Sequence, residues 1–69
     1  MNKKCRYFIE FKSDGWRGEV NKIIDNGPSL EVYGNYPLRK GQNGNSVSRE
    51  EVKYARIVRG DNSMKIKSE

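Results

Sequence analysis

Apolar and polar residues alternate from Cys5 to Lys12, with Cys5, Tyr7, Ile9 and Phe11 on one face and Arg6, Glu10 and Lys12 on the other. A period of two is the mark of a half-buried strand. Phe8 departs from it, an aromatic ring on the polar face. Asp14-Gly15 then supplies hairpin chemistry. In the run WRGEVNKII, alternation puts Trp16, Gly18 and Val20 together, and adjacent Ile23 and Ile24 predict a bulge or burial on both sides. Gly18 inside a strand marks a bend or a close approach of backbone. Asn26-Gly27-Pro28 makes a second turn, and SLEVYG predicts a third strand with Leu30 and Val32 inward.

Residues 35–46, NYPLRKGQNGNS, read as one long polar loop, a length that in a compact domain points to function or mobility. Ser48 and Glu51 have capping-box spacing, so a single helical turn over Arg49–Glu51 is expected before a strand through Val58. Alternation resumes at Met64 and Ile66 beyond an Arg-Gly-Asp-Asn turn. Four or five short strands joined by glycine-rich turns predict an all-β fold: a small, strongly bent SH3-like or Sm-like β-barrel of about five strands. Closure also removes the exposed edges of so small a sheet. The chain is expected to be one domain over 1–69, with residues 1–4 and 68–69 frayed.

Charge adds a direction to this picture. The net charge is +5, and it is uneven: residues 1–34 carry six basic and five acidic groups, residues 35–69 eight and four. An excess of cations in one half suggests a polyanionic partner, RNA or another nucleic acid. Net charge also serves solubility alone. Cys5 is the single cysteine and there is no histidine, so neither an internal disulfide nor a His/Cys zinc site can be assembled. No apolar run approaches a membrane span and no signal-like segment opens the chain, which predicts a cytoplasmic protein without membrane contact. The carboxylates are dispersed and no nucleophile stands beside a base, so neither an enzyme nor a cofactor is expected.

Two stretches resemble the Sm/Lsm family of RNA-binding barrels. ARIVRGDNSMKIK is similar to the family's second motif, an apolar strand, Arg-Gly-Asp/Asn-Asn, and another apolar strand. Gly18-Glu19-Val20 and the run from Asp25 to Leu30 look like the first motif. The resemblance covers about residues 7–67 and implies an oligomeric ring with a uridine pocket built from two loops. It would give Arg59 a stacking role, Gly60 close approach of backbone to the base, Asp25 support of its loop, and Asn62 the end of the turn. Ser29 stands where the family has a base-reading asparagine, and a hydroxyl cannot offer both an amide donor and a carbonyl acceptor. The family's N-terminal helix has no counterpart in MNKKC. A second resemblance competes: DGWRGEVNKII looks like a KOW element, and SREEVKYARIV like the helical turn and last strand of SH3-like barrels, which leaves RGDNSMKIKSE as a basic tail.

The candidate nucleic-acid-binding residues are thus Arg59, Gly60, Asn62, Asp25, Ser29, Tyr36, Arg39 and Lys40. Arg59 either stacks on a base while holding phosphate or is a solvated charge in a hairpin turn. Arg39 and Lys40 beside Tyr36 suit single-strand binding, or simply solvate their loop. Phe8, Trp16 and Tyr33 are candidates for exposed contact surface; for Trp16 a minor core or an interface fits its large area best. A protein–protein adaptor or inhibitor anchored on these aromatics is the second functional class.

Overall fold

The computed structural model describes residues 4–68. It is all-β, with strands β1 (Cys5–Phe11), β2 (Arg17–Val20), β3 (Lys22–Asp25), β4 (Ser29–Tyr33), β5 (Ser46–Ser48), β6 (Val52–Arg59) and β7 (Asn62–Ser68). A single 3₁₀ turn, Arg49–Glu51, stands between β5 and β6 where the capping spacing placed it, and the Ser48 hydroxyl accepts from the Glu50 N–H. Strand order is β2-β1-β6-β7 in one antiparallel sheet and β3-β4-β5 in the other.

The core lies between the sheets. Ile9 and Phe11 of β1, Val20, Ile23, Leu30, Val32, Val47, Val52 and Ala55 are buried together. Leu30 and Val32 point inward as their alternation requires, and both are fully buried. These branched side chains fill the pleated inner faces, which is why so short a chain holds a sheet fold at all. Trp16 and Tyr36 pack against the same cluster.

Seven strands stand where about five were expected. The run from Trp16 to Ile24 breaks at Asn21, whose N–H leaves the first sheet to bond the Tyr33 carbonyl at 2.7 Å. Ser46–Ser48 adds a short strand at the end of the expected loop, and residues 62–68 form the strand their alternation predicts, paired with β6, not the tail of the KOW-like reading. Their turn has Gly60 at its first central position with φ near 60°, as a type II′ hairpin turn requires. The frayed ends expected at 1–4 and 68–69 fall largely outside the described residues, and Ser68 is the last residue of β7.

The barrel expected from the sequence is not closed by a backbone ladder. β5 has only three residues before the 3₁₀ turn, so it offers no ladder to β7. Side chains cross the seam instead. The Arg49 guanidinium donates to the Asp25 carboxylate at 2.6 Å, to the Gly27 carbonyl at 3.0 Å and to the Ile66 carbonyl of β7 at 3.1 Å. The Lys67 ammonium donates back to the carbonyls of Arg49 and Val52.

Candidate functional site

Arg39, read from the sequence as a loop cation available to a ligand, is buried and only 8% exposed. Its guanidinium lies 4.3 Å from the Phe11 ring centroid and donates twice to the Asp14 carboxylate, at 2.9 and 2.8 Å. Glu51 adds a second carboxylate at 3.6 Å. The pairing holds the Asp14 carboxyl well below the usual carboxylate range, chiefly through the Arg39 hydrogen bonds and then through the Trp16 N–H. A stacked, bidentate arginine is an internal strut: both terminal nitrogens bond Asp14, and its Nε, like that of Arg56, is buried without a hydrogen-bond partner.

Tyr36 belongs to the same strut. Its hydroxyl donates to the Val32 carbonyl at 2.8 Å and accepts from Gln42 at 2.9 Å, while its ring sits 5.8 Å from Phe11. Trp16 stacks on Phe11 from another side at 5.8 Å and covers Gly18, where an added Cβ would lie 2.9 Å from the indole. The loop that looked solvated therefore closes one end of the core; only Lys40 of its two cations is exposed. The long-loop signal concealed this because the partners of Arg39 lie 25 and 12 residues away in sequence.

The two turns of the Sm-like reading lie apart. Asp25 and Ser29 flank the β3–β4 turn, where Asp25 accepts from the Gly27 N–H and pairs with Arg49. Arg49 joins that turn to β7 at Ile66, four residues beyond Asn62. Arg59, Gly60 and Asn62 occupy the β6–β7 turn, exposed at the other end of β7. Arg59 pairs in register with Cys5 and donates to its sulfur at 3.4 Å, without a carboxylate partner among the described residues. Cys5 and Phe11 are six residues apart on β1, about 20 Å at strand rise, so Arg59 and Arg39 share no surface. Tyr33 is half-buried on β4, and its hydroxyl donates to Glu31 at 2.6 Å.

A different cationic surface is assembled by β-pairing. Phe8 is paired in register with Glu19 of β2 on one side and Arg56 of β6 on the other; Glu10 lies between Arg17 and Tyr54. Alternation sends all of these to the outer face of the four-stranded sheet, away from buried Ile9 and Ala55. Together they line a shallow groove of about 400 Å³. Arg6 and Arg56 bring their guanidinium carbons to 5.1 and 5.0 Å from the Phe8 ring centroid, in cation–π range.

The arginines divide in two. Arg6 is held by Glu19 through bonds of 3.2 and 3.1 Å, Arg39 by Asp14, and Arg49 by Asp25. Arg17 and Arg56 have no carboxylate partner among the described residues, and both line the groove. The Arg56 Nε is buried with no hydrogen-bond partner. Lys65 pairs across from Arg56 on β7 and extends the cationic row. Sequence reasoning missed Arg56, Tyr54 and Arg17 as site residues. The signal was present: Phe8 sat on the polar face, and Tyr54 and Arg56 alternate with Ala55 and Ile57.

Among the described residues no group of three or more His, Cys, Asp or Glu side chains is placed to hold a metal ion, and no helix is long and apolar enough to cross a membrane. Comparison with known protein families, with curated proteins and with solved structures finds no match to this chain.

Proposed function

We propose that this is a non-enzymatic module that binds single-stranded nucleic acid, RNA foremost, on the outer face of its four-stranded sheet. The observation that carries the reading is Arg56, stacked over Phe8, free of carboxylates among the described residues and with a buried donor left unfilled. An unfilled buried donor costs stability in the free protein, and a phosphate or base acceptor would relieve it. Aromatic rings and guanidinium planes on an open sheet suit unstacked bases, while a duplex hides its base faces. Arg17 and Lys65 are placed to follow the backbone phosphates.

The scaffold reading that goes with it is an SH3-like barrel, open at the β5–β7 seam. It is supported by the 3₁₀ turn leading straight into β6, by β6 lying beside β1, and by the β2–β3 run bent at Asn21 between the sheets. The Sm-like pocket finds less support, because its two turns are held at separate places.

Arg56→Ala is expected to weaken binding of a short oligouridine by about 1–3 kcal/mol, roughly 5- to 150-fold, as for one lost stacking contact. Arg59→Ala removes a charge on the other side of the sheet and should cost much less, through salt-dependent attraction alone. Fluorescence anisotropy of both variants across a salt series checks this. Equal losses for the two variants would remove the groove from the reading.

A protein partner is the second reading, favoured by one observation. Met64 is 66% exposed and shares a shallow groove of about 410 Å³ with Ile57 and Arg59. A partner anchored there by apolar contact would hold its affinity as salt rises, whereas nucleic-acid binding falls steeply. Solution mass with and without oligouridine separates a ring from a monomer.

A further inference from the structure

Within the groove one group runs against phosphate binding. Glu10 lies on the outer face between Arg17 and Tyr54, lines the groove, and has no hydrogen-bond or ion-pair partner among the described residues. The neighbouring Glu19 is already neutralised by Arg6. A free carboxylate beside Arg17 and Arg56 would repel a phosphate chain, so its place in a nucleic-acid groove calls for a donor on the ligand.

An ionised carboxylate has two acceptor oxygens and no donor. It pairs best with a ligand edge that presents two adjacent donors. Among the bases, guanine alone does so, through N1–H and the N2 amino group. Adenine and cytosine set a ring-nitrogen acceptor beside their amino groups, and uracil flanks its single N3–H with two carbonyls. Glu10 and Phe8 are two residues apart on one face of β1, about 7 Å along the strand. A base stacked over Phe8 or the Arg56 guanidinium therefore has Glu10 within reach of the edge it directs along β1.

We propose that the groove takes an unpaired guanine base, with the Glu10 carboxylate accepting from N1–H and N2–H. The proposal rests on the nucleic-acid reading above and assigns that site its base preference. In it Arg56 and Phe8 supply stacking, Arg17 a phosphate contact, and Glu10 the choice of base.

The test uses the full chain and uridine octamers carrying one central guanosine, inosine, adenosine or uridine, with anisotropy read at two salt concentrations. Guanosine is expected to bind about tenfold more tightly than the other three, the scale of one bidentate base contact. Glu10→Gln should remove that margin while keeping the salt slope and the thermal midpoint, because Glu10 supports nothing else among the described residues. Guanosine monophosphate that competes as well as the octamer would uphold base recognition and assign the ligand to free nucleotides. Equal binding of all four octamers with a steep salt dependence would overturn the guanine inference and leave the nucleic-acid reading standing. A guanosine preference that survives in Glu10→Gln overturns the role of Glu10. Failure of every octamer to bind overturns both.

Discussion

Phe11→Ala is expected to lower the stability of the fold by about 3–5 kcal/mol. Phe11 is fully buried and its ring is the common wall of Trp16, Tyr36 and the Arg39 guanidinium. Truncating a buried Phe costs about 3–5 kcal/mol, from lost transfer energy and from the cavity left behind. A chain of this size has about 3–10 kcal/mol in all, at 0.05–0.15 kcal/mol per residue. The substitution therefore consumes from about a third to all of the total. Circular dichroism against temperature reads it directly, with Phe11→Leu as the smaller-volume comparison that should remain folded. A fall of only a few degrees for the alanine variant would mean that Trp16 and Tyr36 collapse into the space, and that Phe11 is not the wall described here.

Arg39→Ala comes second, at about 3 kcal/mol. Breaking a buried ion pair costs roughly 3–5 kcal/mol because a charge is stranded. Here the lower end applies, since the stranded Asp14 carboxylate is itself 47% exposed and can take up water. Arg39→Lys should recover little, because an ammonium cannot both stack on Phe11 and bond two oxygens in parallel. Urea midpoints of the three proteins check the order. A pH series adds an independent sign. The folded protein holds the Asp14 carboxyl below its ordinary value, so the folded state binds fewer protons than the unfolded one through the acid range. The stabilisation is fully present above about pH 3.9, the unperturbed Asp value, and is lost as pH falls below it toward the folded-state value. Arg39→Ala should flatten that part of the acid dependence. If wild type and variant lose stability in parallel between pH 4 and 2, the Arg39–Asp14 pair is not its source.

These two expectations explain why an excess of basic residues in one half of the chain misleads. Half of the described arginines are paired with carboxylates of the same chain: Arg39 closes one end of the core, Arg49 bridges the seam, and Arg6 holds Glu19 at the surface. What remains for a polyanion includes Arg17, Arg56 and Lys65 on one sheet face, with Arg59, Lys4, Lys22, Lys40 and Lys53 exposed.

Strand existence was readable from the period of two, as in Cys5–Phe11 and Ser29–Tyr33, because each has one face in the core and one in water. The 3₁₀ turn was readable at Ser48, whose hydroxyl accepts from the Glu50 N–H, a contact between near neighbours, although Glu51 turns its carboxylate to Ser13 and Arg39 instead of back to Ser48. Phe8 was visible as the exception that marks the outer face, although its partners were not. The break at Asn21 was hidden, because a strand passing from one sheet to another needs no special residue where it turns.

By itself the sequence determined that the chain is all-β, where most of its strands and turns fall, and which side chains those strands keep from water. Those are properties of neighbours along the chain, set by side-chain alternation and turn chemistry. Only the tertiary structure decided which cations are free. Whether an arginine meets a carboxylate depends on strand order and register, and these bring Arg39 to Asp14 across 25 residues while leaving Arg56 over Phe8 with none among the described residues.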